Sequence, residues 1–111
     1  NGSYEYSNII QVEVDFTPKE YNLYQNYPNP FNPITTIKYS IPFESHIKLA
    51  VYSVLGELIE VLEDVVKEAG YYTYNWDASD YSSGIYIYTL ETNAEGLGIY
   101  NKLVKKMLLQ K

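Results

Sequence analysis

The sequence predicts an all-β fold: an antiparallel β-sandwich of about seven strands, with one further strand or arm on its N-terminal side. Three observations carry this reading. Apolar residues recur at every second position in nearly every segment, the period of a strand with one face in a core. Tyrosine accounts for 14 of the 111 residues, and aromatic and β-branched side chains favour half-buried pleated surfaces. Clusters of Gly, Pro, Asn, Asp and Ser break the chain at short intervals, as the turns of a sandwich require.

Along residues 4–16, Ile10, Val12, Val14 and Phe16 alternate with Gln11, Glu13 and Asp15, the pattern of a half-buried strand. Residues 17–20, Thr-Pro-Lys-Glu, read as a linker, which sets 1–16 apart, as an arm or as the remnant of a preceding domain, from a domain over 21–111. Residues 26–33 hold three prolines and predict a stiff, non-helical arch. Ile37, Tyr39 and Ile41 precede Pro42, and Ile47, Leu49 and Val51 follow a polar turn at Glu44 and Ser45; the two runs are expected to form a hairpin. Gly56 is placed to take positive φ in the next turn, before a strand over 57–62. Residues 63–69 suit one helical turn stopped by Gly70. Tyr72, Tyr74 and Trp76 then share a face, residues 77–84 form a turn-rich loop, and Tyr86, Tyr88 and Leu90 share a face of the strand opened by Gly84. Residues 93–98 turn the chain into a closing strand over 99–109. Trp76, Tyr86 and Leu90 are the expected structural core.

Composition removes most chemistry. Eight basic residues against 14 acidic ones give a net charge of −6, a field that repels phosphate backbones and anionic lipid. Neither nucleic acid nor membrane insertion is expected. All the basic residues are lysines, so no guanidinium fork exists to clamp a phosphate. Without cysteine there is no disulfide, thiolate metal site or thiol nucleophile. His46 is the one histidine; it reads as an exposed turn residue, with no Gly-x-Ser-x-Gly segment to supply a nucleophile. Asp77 and Asp80 read as turn formers, too few to hold calcium. Glu57, Glu60, Glu63, Asp64 and Glu68 read as a solvated strand edge. No cofactor, metal site or catalytic residue is expected. Asn1-Gly2-Ser3 matches a short sequon of high chance rate. The absence of a leader or membrane span fits a fragment, a mature product or a cytosolic protein.

Three separated stretches resemble one family. Residues 23–39, LYQNYPNPFNPITTIKY, resemble the opening of the C-terminal sorting domains of type IX secretion cargo. Val51-Tyr-Ser-Val-Leu-Gly-Glu57 is similar to a second signature of that family, and Gly70 through Ala78 with Ser83-Gly-Ile-Tyr86 to a third. The terminal KKMLLQK resembles its closing basic–apolar strand. Residues 76–90 are also similar to the immunoglobulin-like domain of flagellar hook-capping proteins. Glu57 and lysines stand where the sorting-domain family commonly carries arginine.

The resemblance implies a non-catalytic tag on a larger protein, carried through the outer-membrane secretion machinery and left secreted or at the cell surface. Its sorting-signal strand is then Lys102, Lys105, Lys106, Met107, Leu108 and Leu109, where charge and backbone donors face a receptor edge. The alternative is a structural subunit of an extracellular fibre or surface layer. There Ile10, Val12, Val14 and Phe16 form an exchange arm that completes a neighbour's sheet, giving a homo-oligomer or filament.

Overall fold

Alternation of buried and exposed side chains organises residues 17–111, the part of the chain that the structure, a computed structural model, describes. Its strands are β1 (Asn22–Leu23), β2 (Ile34–Ile41), β3 (Ser45–Ser53), β4 (Leu58–Lys67), β5 (Gly70–Asp77), β6 (Gly84–Ala94) and β7 (Ile99–Leu109), with one short 3-10 turn at Glu95–Leu97. They form two antiparallel sheets, ordered β1-β2-β5 and β4-β3-β6-β7. The inward faces of both sheets meet in one core, making a β-sandwich.

Two expectations about local structure are corrected. β2 and β3 do not form a hairpin: β2 pairs with β5 and β3 with β4 and β6. Pro42 has no N–H for a hairpin rung, and the Ser45 hydroxyl donates to the Phe43 carbonyl at 2.8 Å as the chain crosses to the second layer. Ile37, Tyr39 and Ile41 thereby join Ile47, Leu49 and Val51 in one core cluster, all six fully buried. The helical turn expected over 63–69 is strand instead, since β4 runs on to Lys67. Val65 pairs with Ile47 and Val66 with His46, and β-branched residues with cross-strand partners favour the pleat over an isolated turn. Gly56, at φ 89°, makes the tight turn before β4.

Trp76 sits among three rings, with centroids 6.0 Å from Phe31, 5.6 Å from Tyr81 and 6.1 Å from Tyr86. Tyr86, near the start of β6, donates its hydroxyl to the Ser82 carbonyl at 2.6 Å. This is the tyrosine-corner arrangement of immunoglobulin-like sandwiches. Leu90 is fully buried between Leu49 and Leu103 on the neighbouring strands.

The acidic stretch is not simply solvated. Register shifts between Leu49 and Ala50, and again between Val51 and Tyr52, leave Leu62 and Ile59 as the extra residues of β4. Each bulge resets the alternation, so Glu63 and Glu60 both land opposite inward-facing residues, Leu49 and Val51. Glu63 accepts a hydrogen bond from the Tyr39 hydroxyl at 2.6 Å and pairs with Lys67 at 3.1 Å. Glu60 accepts from Trp76 Nε1 at 3.1 Å and from the Tyr81 hydroxyl at 3.0 Å. Two carboxylates thus tie the edge of one sheet to the aromatic face of the other.

Burial, reinforced by the Glu63 hydrogen bond and charge, pushes the Tyr39 phenol well above its ordinary range. Burial pushes Tyr88 up to about 12, against a smaller opposing effect of the Asn26 N–H. A phenol whose folded value exceeds its unfolded value near 10.0 keeps its full contribution below pH 10 and loses it as pH rises towards the folded value. The urea midpoint is therefore expected to hold steady up to pH 10 and to fall above it. A midpoint still level at pH 12 would contradict this assignment.

Candidate functional site

The closing strand and the proline arch form one unit. β7 pairs with β6 along its whole length, from Gly84 opposite Leu109 to Ala94 opposite Ile99. An edge strand turns every second residue's N–H and C=O away from its neighbour. At the far end of β7 those outward groups are already taken. The Leu108 N–H donates to Asn29 Oδ1 at 2.9 Å, the Leu108 carbonyl accepts from the Phe31 N–H at 3.0 Å, and the Gln110 N–H donates to the Phe31 carbonyl at 3.0 Å. The Lys106 carbonyl accepts from Gln25 Nε2 at 2.6 Å. Residues 25–31 therefore clamp residues 106–110.

The arch can do this because its own polar groups are satisfied. Its three X-Pro bonds, before Pro28, Pro30 and Pro33, are cis. Asn26 is buried, and its Nδ2 donates to the Pro28 carbonyl at 3.1 Å and to Thr35 Oγ1 at 2.9 Å. Tyr88 reaches across from β6: its hydroxyl donates to the Tyr24 carbonyl at 2.7 Å and accepts from the Asn26 N–H at 2.8 Å. Phe31 is buried beside Trp76. The motif is a covered edge as well as a turn, and proline content alone does not reveal that.

The lysines of β7 divide by position. Lys102, Lys105 and Lys106 are exposed, and none forms an ion pair among the described residues. Met107 and Leu109 are core residues at 2% and 0% exposure, while Leu108 lies on the outer face. The expectation that the terminal residues offer backbone donors to a receptor is thus corrected for Leu108 and Gln110, whose N–H groups already bond Asn29 and Phe31. Lys111 Nζ donates to the Ser79 carbonyl at 2.6 Å and its N–H to Ser83 Oγ at 2.9 Å, fastening the tail to the 77–84 loop. Ile10, Val12, Val14 and Phe16 lie outside the described residues.

The remaining candidates do not converge. His46 is exposed on β3 and not in a turn, with Nε2 2.7 Å from Asp64, in an open groove with Glu44, Val66, Asn93 and Glu95. Asp77 accepts from the Ser79 N–H at 2.9 Å and from its hydroxyl, and these bonds hold its carboxyl below the usual range. That is an Asx turn closing β5. No group of three His, Cys, Asp or Glu side chains suited to a metal ion occurs among the described residues. No helix among them is long and apolar enough to cross a membrane.

The model of one family, the secretion system C-terminal sorting domain, matches residues 25–106. The match begins at Gln25, the first residue of the clamp, and runs to Lys106 on β7. It does not extend to hook-capping proteins, and it lends nothing to a fibre subunit. No curated protein and no solved structure matches the chain. Matched over most of its length, across the arch, both sheets and most of the closing strand, the chain belongs to the family of secretion system C-terminal sorting domains.

Proposed function

We propose that this domain is the non-catalytic sorting tag of a larger cargo protein. It delivers the cargo through the type IX machinery of the outer membrane, to be released or displayed at the cell surface. The observation that carries this reading is the family match over residues 25–106, and the charge layout of residues 102–111 supports it. Four of the eight lysines, Lys102, Lys105, Lys106 and Lys111, fall in the last ten residues, where there is no acidic residue, although the chain as a whole carries −6. A local basic strand on an acidic body orients the domain in the field of an acidic partner.

The test separates signal from fold by using exposed side chains that form no ion pair among the described residues. In a host with type IX secretion, a reporter fused ahead of the chain is expected to reach the surface or medium. The triple variant Lys102→Glu, Lys105→Glu, Lys106→Glu is expected to retain the reporter in the periplasm. Because all three side chains are exposed and unpaired among the described residues, the melting temperature should move little. Export of the folded triple variant at the unaltered level would remove these lysines from the signal.

A further inference from the structure

We infer that the secretion receptor pairs a strand with β7 at Tyr100, Lys102 and Val104, ahead of the clamped residues, and that this strand is extended and carries acidic side chains. The inference rests on the sorting reading above. Leu108 fixes the direction of alternation, because both its N–H and its C=O bond outward to the arch. Stepping back by twos, the outward-facing residues are Lys106, Val104, Lys102 and Tyr100. The arch takes the Lys106 carbonyl. Among the described residues, nothing takes the N–H or C=O of Tyr100, Lys102 or Val104. Each offers one donor and one acceptor, a continuous template for an added strand.

Side-chain burial changes at the same place. On the inner face of β7, Met107 and Leu109 are buried, whereas Ile99, Asn101 and Leu103 are only half-buried and Lys105 is exposed. The facing sheet ends there in β1, a strand of two residues, too short to cover that flank. Among the described residues the sandwich is therefore shut beside 106–110 and open beside 99–105. On the outer face Tyr100 and Val104 are 61% and 54% exposed, giving an added strand apolar surface on either side of Lys102.

Charge selects the occupant. Lys102 and Lys106 project from the outer face, and Lys105 emerges at the open flank. A strand laid along residues 100–104 meets cations on both of its faces, so acidic residues at neighbouring positions suit it. A second copy of this chain, at −6, has no comparable overall complementarity, since net repulsion opposes its approach.

The edge is tested with Val104→Pro in the full-length reporter fusion. Proline at 104 removes an outward N–H that no described residue uses, and a strand edge tolerates it. Leu103→Pro removes a rung of the β6–β7 ladder and serves as the unfolded control. The folded Val104→Pro fusion is expected to lose export up to about tenfold, the effect of losing one backbone hydrogen bond to a partner. Normal export of that folded variant overturns the edge assignment while leaving the sorting reading intact. Should Val104→Pro fail to melt cooperatively, the pair Lys102→Glu, Val104→Glu replaces it, and unchanged export then overturns the assignment. Retention of the unaltered fusion removes the sorting reading and this assignment with it. Hydrogen exchange on the purified chain addresses the other occupants. Rapid exchange of the Lys102 and Val104 amides is expected, with slow exchange at Leu108 and Gln110. Slow exchange at 102 and 104 in the chain alone means that residues 1–16 or a second copy already fill the edge, which overturns the proposal.

Discussion

Removal of residues 105–111 is expected to unfold the domain as well as to stop export. Met107 and Leu109 are buried at 2% and 0% exposure, and truncating one large buried aliphatic side chain to alanine costs about 2–5 kcal/mol. Two such losses amount to about 4–10 kcal/mol, against a typical domain stability of about 5–15 kcal/mol. The deletion also strips the arch of the Lys106, Leu108 and Gln110 groups it bonds and leaves Tyr86 and Tyr88 without their β7 partners. The far-UV signal of the purified truncation should lack a cooperative melt. A truncated chain that melts within a few degrees of the full-length one would show that β7 contributes little to the core. Loss of export in an unfolded truncation would not by itself identify a signal, and this is why the exposed lysines make the sharper probe.

Trp76→Ala is expected to cost about 3–5 kcal/mol, the usual range for emptying a buried large aromatic site. The indole is 2% exposed and lies among Phe31, Tyr81 and Tyr86, so no single neighbour can swing in to fill the space. The substitution also removes one of the two donors to Glu60 Oε1, leaving Tyr81 alone. For a domain of this size the melting temperature should drop by roughly 4–8 °C per kcal/mol. Trp76→Phe keeps a ring and should recover part of the loss. A change under about 1 kcal/mol in the alanine variant would mean that the indole packs against nothing essential.

Outside residues 63–67, strand identity was legible because it is local. The alternation of Ile47, Leu49 and Val51, or of Tyr86, Tyr88 and Leu90, shows directly which face is apolar. Pairing was not legible, since the runs around Ile37 and Ile47 look the same whether they lie side by side or across a core. The two bulges of β4 have no compositional mark, so Glu60 and Glu63 read as solvent-facing until their register with Val51 and Leu49 is seen. The clamp escaped the sequence for a related reason. Asn29 and Leu108 are far apart along the chain, and nothing in the arch names the edge it covers.

The arch-to-β7 junction also has a mechanical consequence. Phe31 lies alongside Leu109 in parallel, with bonds on both sides of Phe31 running across to Leu108 and Gln110. A cargo joined at the N-terminal side and dragged away while β7 is held pulls these two segments in opposite directions along their lengths. The cross-links are then loaded together in shear and must yield as a group, where a hairpin pulled apart from its open end would surrender them singly. The resistance of such a junction is set by the unfolding rate under load, not by equilibrium stability. The junction thus resists a pull in this direction through the rate at which its bonds yield together.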